Sequence, residues 1–144
     1  MGCSAPIEEE YVFVEGCVSG NVMSERPEMP QGVILQSVLV NDEGESSGYR
    51  IYDDGRYETK TVQEPWSFGE PLTEQQVEAV KASIAETRFD RLGEHYQPVE
   101  VSPSSNTLWM QVNDAGERFD VEMVGSCEVP AITTLTAQIV GLFK

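Results

Sequence analysis

The hydrophobic positions fall into short runs separated by turn residues. Residues 11–18, with Tyr11, Val12, Phe13 and Val14, are rich in aromatic and β-branched side chains and predict a strand. Residues 19–32 carry Gly20, Asn21, Pro27, Pro30 and Gly32 and predict a loop. Residues 33–40 predict a second strand, with Gln36 and Ser37 set between two apolar triplets. A turn over 41–48 leads to a strand at 49–53. Asp54-Gly55 is a hairpin signal, and residues 56–62 return as its partner. Residues 65–71 read as a loop containing Trp66 and Phe68.

A helix follows. Thr73 stands at the N-cap position with Gln76 three residues on, the spacing of a capping box, and Leu72 and Val77 are spaced as a hydrophobic staple. Glu70, Glu74 and Glu78 place negative charge at the positive end of the helix dipole. Val77, Val80, Ile84 and Thr87 form the inward stripe, extended by Phe89 and Leu92, and Gly93 is the expected stop. Residues 94–105, with Pro98 and Pro103, read as loop. Residues 107–112 and 117–124 are strands joined by the turn Asn113-Asp114-Ala115-Gly116. Pro130 suits the first turn of a final helix, whose apolar face is Ile132, Leu135, Ile139 and Leu142.

The order of strands, helix, hairpin and helix predicts an α+β fold. The expected form is an antiparallel sheet with two helices packed on one face, a two-layer sandwich. Residues 1–10 read as a flexible tether and residues 11–144 as a single domain.

Charge narrows the field of partners. Nine Lys and Arg face 25 Asp and Glu, a net charge of −16. Such a chain repels phosphate backbones and anionic headgroups, so nucleic acid is an unfavourable partner. No apolar run approaches the ~18 residues of a membrane span.

The start, Met1-Gly2-Cys3-Ser4-Ala5-Pro6, admits three readings. It resembles the junction of a processed bacterial lipoprotein, with Cys3 as the lipidated residue and a short polar tether behind it. It is a poor N-myristoylation signal at Gly2, because Pro6 stands where Ser or Thr is wanted. It is otherwise an ordinary cytosolic start. If Cys3 carries lipid, Cys17 and Cys127 remain as a natural disulfide pair in an oxidising compartment. The alternative is two buried free thiols.

Catalytic chemistry is sparse. His95, the one histidine, follows the helix stop and reads as a surface residue at a helix C-terminus. No nucleophile elbow, C-x-x-C zinc spacing, phosphate loop or dinucleotide fingerprint occurs. The turns at Asn41–Glu45, Asp53–Gly55 and Asn113–Glu117 gather oxygen atoms around glycine, as calcium loops do, but Asn, Asp and Gly are also the default turn residues. The expectation is therefore no catalytic residues, no metal and no cofactor.

The aromatic residues are more informative. Alternation along 108–112 puts Leu108, Met110 and Val112 on one face, and Trp109 and Gln111 on the other. Tyr52 and Arg50 are similarly opposed to Tyr49 and Ile51. Trp109, Gln111, Tyr52 and Trp66 thus form a candidate surface for a protein or small ligand. Alternatively the first strand, the 19–32 loop or the Trp66–Phe68 loop covers Trp109.

Two resemblances follow from these elements. With the hairpin Asp54-Gly55-Arg56-Tyr57 ahead of the Thr73 helix, the chain resembles small bacterial lipoproteins of unknown function. The helix from Pro71 to Leu92, the Leu108–Val112 and Phe119–Glu122 hairpin and the closing helix at Pro130 are similar in order to the emfourin family, proteinaceous inhibitors of thermolysin-like metalloproteases. The first implies a monomeric, non-enzymatic binding or accessory domain of the cell envelope, anchored through Cys3 or secreted. The second implies a protease inhibitor. A cytosolic start would imply neither location.

Overall fold

A computed structural model of the protein describes residues 14–19, 25–102 and 104–142. The tether, Cys3 and residues 11–13 of the first expected strand lie outside these residues. Of its described residues 14–18, only β1 (Cys17–Val18) is strand; residues 14–17 form a turn, in which Cys17 N donates to Val14 O.

The remaining elements follow in chain order: β2 (Val33–Val40), β3 (Ser46–Tyr52), β4 (Tyr57–Lys60), β5 (Ser67–Phe68), α1 (Glu74–Thr87), β6 (His95–Pro98), β7 (Thr107–Asp114), β8 (Glu117–Val124) and α2 (Pro130–Gly141). The fold is α+β. Among the described residues, eight strands form one sheet in the order β1-β6-β8-β7-β2-β3-β4-β5. Neighbours are antiparallel except β6 and β8, which run parallel, so the sheet is mixed.

Local chemistry explains most of the boundaries. The capping box at α1 is complete: Gln76 N donates to Thr73 Oγ1 at 3.1 Å, and Thr73 N donates to Gln76 Oε1 at 2.8 Å. The helix ends before Gly93. Arg88 takes the left-handed conformation (φ 58°), and its guanidinium bonds Asp90 at 2.9 and 3.0 Å. A 3₁₀ turn, Phe89–Arg91, then rotates Phe89 into the core. Ala115 and Gly116 both have positive φ between β7 and β8, the mark of a type I′ turn. Gly48 lets β3 approach β2, because a Cβ there would run into the Ser37 carbonyl oxygen.

The antiparallel sheet expected from the sequence is thus mixed, and two expected loops contain strands. The loop over 94–105 contains strand β6, and the Trp66–Phe68 loop contains β5. Both are short: β5 has two residues paired with β4, and β6 is held by β1 and β8, remote in sequence, so neither shows enough alternation to be read locally.

Apolar residues of both helices and one set of sheet positions share a single core. Val77, Val80 and Ile84 of α1 and Ile132, Leu135 and Ile139 of α2 cluster with Leu35, Ile51, Met110, Val112, Val121 and Met123. Cys17 and Cys127 form a disulfide with their Cα atoms 5.9 Å apart. It ties edge strand β1 to the segment ahead of α2.

Candidate binding face

Strand alternation sends a different set of side chains to the opposite face, and the register aligns them in two rows. One row runs Asp120, Gln111, Gln36, Arg50, Glu58 and Phe68 across β8, β7, β2, β3, β4 and β5. The other begins His95, Glu122, Trp109 and Val38 across β6, β8, β7 and β2. In contrast to the helix-side core, this face is largely polar, and Gln36, Gln111, Arg50, Glu58, His95 and Glu122 are all buried.

Residues 25–30 cover the middle of the face. Gln36 Nε2 donates to Glu28 O at 3.0 Å and to Gln111 Oε1 at 2.8 Å. Gln111 Nε2 donates to Pro27 O and to Asp120 Oδ1, both at 3.0 Å. Arg26 and Arg118 converge on the Asp120 carboxylate at 3.3 and 3.1 Å. Paired amides and carboxylates of this kind make burial tolerable, since an unpaired buried polar group costs about 1–3 kcal/mol.

Toward β1 the face is closed. His95 Nδ1 lies 2.6 Å from Glu122 Oε1, and His95 Nε2 lies 2.6 Å from Gln97 Oε1. His95 is thus a buried strand residue, not the surface histidine expected from its position after the helix. Parallel pairing of β6 with β8 carries its ring under the sheet face.

Toward β5 the face opens into an aromatic and cationic cluster. The Arg50 guanidinium lies 3.6 Å from the centre of the Trp66 ring, and its Nε is 3.4 Å from Glu58 Oε1. Tyr52 donates its hydroxyl to the same Glu58 oxygen at 2.5 Å. Burial, and next the Glu58 carboxylate, raise the Tyr52 phenol above its ordinary pKa. Arg56 sits 4.2 Å from the Tyr52 ring centre and 6.0 Å from that of Phe68. Phe68 itself is 59% exposed.

The candidate residues therefore share a face but not an environment. Trp109 and Gln111 are fully buried, Tyr52 is buried at 6% exposure, and Trp66 is half-buried. Sequence reasoning did not single out Gln36, Glu58, Asp120 or Phe68. The available signal was Gln36, a polar residue in the middle of an apolar strand. Phe68 gave no local signal, because β5 has only two residues.

Turn oxygens serve the backbone. Asn41 Oδ1 accepts from Glu43 N and Glu45 N, Asp54 Oδ1 from Arg56 N, and Asn113 Oδ1 from Gly116 N. Among the described residues no three His, Cys, Asp or Glu side chains cluster as metal ligands would. Comparison with protein-family models, curated proteins and solved structures finds no match.

Proposed function

We propose that this is a non-enzymatic binding domain of the cell envelope, anchored by lipid on Cys3, which meets a protein partner through the aromatic end of its sheet. The observation that carries the binding surface is Phe68. It stands 59% exposed on strand β5 at the sheet's end, beside Tyr52, Trp66 and two arginines. Exposed aromatic and arginine side chains are the groups that dominate protein interfaces.

The cysteines support this compartment. A Cys17–Cys127 disulfide suits an oxidising environment and leaves Cys3 as the remaining thiol of the chain. We take the molecule as a two-layer sandwich, with α1 and α2 over one face and the open β5 end of the other face turned to recognition. The shared core of both helices with β7 supports that arrangement.

Two measurements test the proposal. Intact mass of protein extracted in detergent from its host should show a lipid-sized increment on Cys3; an unmodified Cys3 removes the anchor. Envelope proteins crosslinked to the wild-type chain should be lost with Phe68→Ser, an exposed change that leaves the core untouched. An unchanged crosslinking pattern rejects the surface. Stoichiometric inhibition of a thermolysin-like protease would instead establish the emfourin-like alternative.

A further inference from the structure

Backbone pairing leaves the outer edge of β5 unused. Tyr52 N donates to Arg56 O at 2.9 Å, so Arg56 and, two residues on, Glu58 turn their backbone groups toward β3. Tyr57 faces the other way, and its carbonyl accepts from Gly69 N at 2.8 Å. Glu58 therefore has no backbone group left for its β5 partner Phe68. The Phe68 N–H and C=O point outward, past the last strand of the sheet. Sheets usually shield such an edge with a lysine, a bulge or a covering segment. Here Ser67, Phe68 and Gly69 are all exposed.

The side chains beside this edge suit an added strand. Phe68 shares a sheet face with Glu58 and Arg50, and stacking on Arg50 at 3.6 Å brings the Trp66 ring to the same face. A strand paired with Phe68 lays every second side chain beside these two rings. Charge selects the strand's sign. Glu64 and Glu70 are exposed on either side of β5, and neither forms an ion pair among the described residues. The two arginines of the cluster are already matched, Arg50 with Glu58 and Arg56 with Asp54. The chain as a whole carries −16, which attracts a cationic segment and repels a second copy.

We propose that the outer edge of β5 takes up a strand from a partner protein. The strand is an extended, cationic segment that pairs its backbone with Phe68 and sets alternate apolar side chains against Phe68 and Trp66. This mode of binding rests on the Phe68 surface proposed above and adds the partner's chemistry and the backbone contact that holds it.

The test uses the full oxidised chain and an end-capped, labelled peptide, Lys-Thr-Val-Thr-Val-Thr-Lys, read by fluorescence anisotropy at low salt. Wild type should bind it saturably and Phe68→Ser should not. The same peptide with Glu for both Lys should fail to bind. In an added strand whose valines lie beside the rings, the valine N–H groups face the β5 edge and the threonine N–H groups face away. N-methylation of both valines should therefore weaken binding roughly threefold to tenfold, the value of one hydrogen bond, and N-methylation of two threonines should not. Exchange of the Phe68 amide hydrogen should slow when the peptide binds. Equal effects of methylation at valine and threonine overturn strand addition. If Phe68→Ser still abolishes the envelope crosslinks in that case, the Phe68 surface stands and only its mode of use is rejected. No saturable binding at millimolar peptide also overturns the proposal, as does a wild-type dimer that Phe68→Ser dissociates, which would assign the edge to a second copy.

Discussion

His95 Nδ1 and Glu122 Oε1 are 2.6 Å apart, and solvent reaches neither side chain. The pair joins β6 to β8, where the register matches only His95 with Glu122 and Tyr96 with Met123. Removing Glu122 takes from His95 Nδ1 its carboxylate partner in a dry site. Glu122→Leu is expected to lower unfolding free energy by about 3–5 kcal/mol. The double change His95→Leu/Glu122→Leu should cost less than Glu122→Leu alone. Denaturant titration of the single and double variants checks this, and a cost under ~1 kcal/mol for Glu122→Leu would show that the pair is not a structural tie.

The Cys17–Cys127 bond spans 110 residues. Chain-entropy arguments assign a loop of that length on the order of 4–5 kcal/mol. Cys17→Ser/Cys127→Ser should therefore unfold at a much lower denaturant concentration. Reduction of the wild type should reproduce that midpoint. Coincident midpoints for oxidised and reduced protein would contradict the pairing.

Tyr49 has its phenol pushed up to about 12 from 10.0, first by burial and next by the neighbouring Tyr57. Below pH 10 the phenol is protonated in folded and unfolded chains alike. Between pH 10 and about 12 the unfolded chain loses the proton first, so stability falls as pH rises. The decline from this residue is up to about 1.4 kcal/mol per pH unit. Tyr49→Phe should flatten it, as measured by urea unfolding at pH 9, 10 and 11. A wild-type slope retained in the variant would assign the effect to other tyrosines.

Ala115 holds a positive φ of 54° in the β7–β8 turn, a conformation that disfavours a Cβ. Asn is better tolerated there. Ala115→Asn should stabilise the protein on the order of 1 kcal/mol, visible as a higher melting temperature. A fall in melting temperature would show that Ala115 is kept by a contact the turn geometry does not reveal.

Much of the fold was legible locally because its causes are local. The Thr73–Gln76 capping box and the Val77–Val80–Ile84 stripe each lie within a few residues and were readable from spacing alone. The turn expected over 113–116 was legible in place but narrows to Ala115–Gly116, because β7 runs on to Asp114. The alternation that separated Trp109 and Gln111 from Met110 and Val112 was also readable, since pleating is a property of one strand. The pairing of Cys17 with Cys127 was one of two open readings and needed coordinates to select it.

Other features depend on which strands become neighbours. β5 and β6 exist only because β4 and β8 supply their hydrogen bonds, and His95 is buried only because β6 lies parallel to β8. Whether Trp109 faced solvent likewise could not follow from its strand. The sequence by itself determined the elements and the two faces of the sheet, because periodicity and capping act over a few residues. Only the tertiary structure decided that the polar face is closed over Trp109 and open at Phe68, because burial is set by what long-range topology lays across a strand.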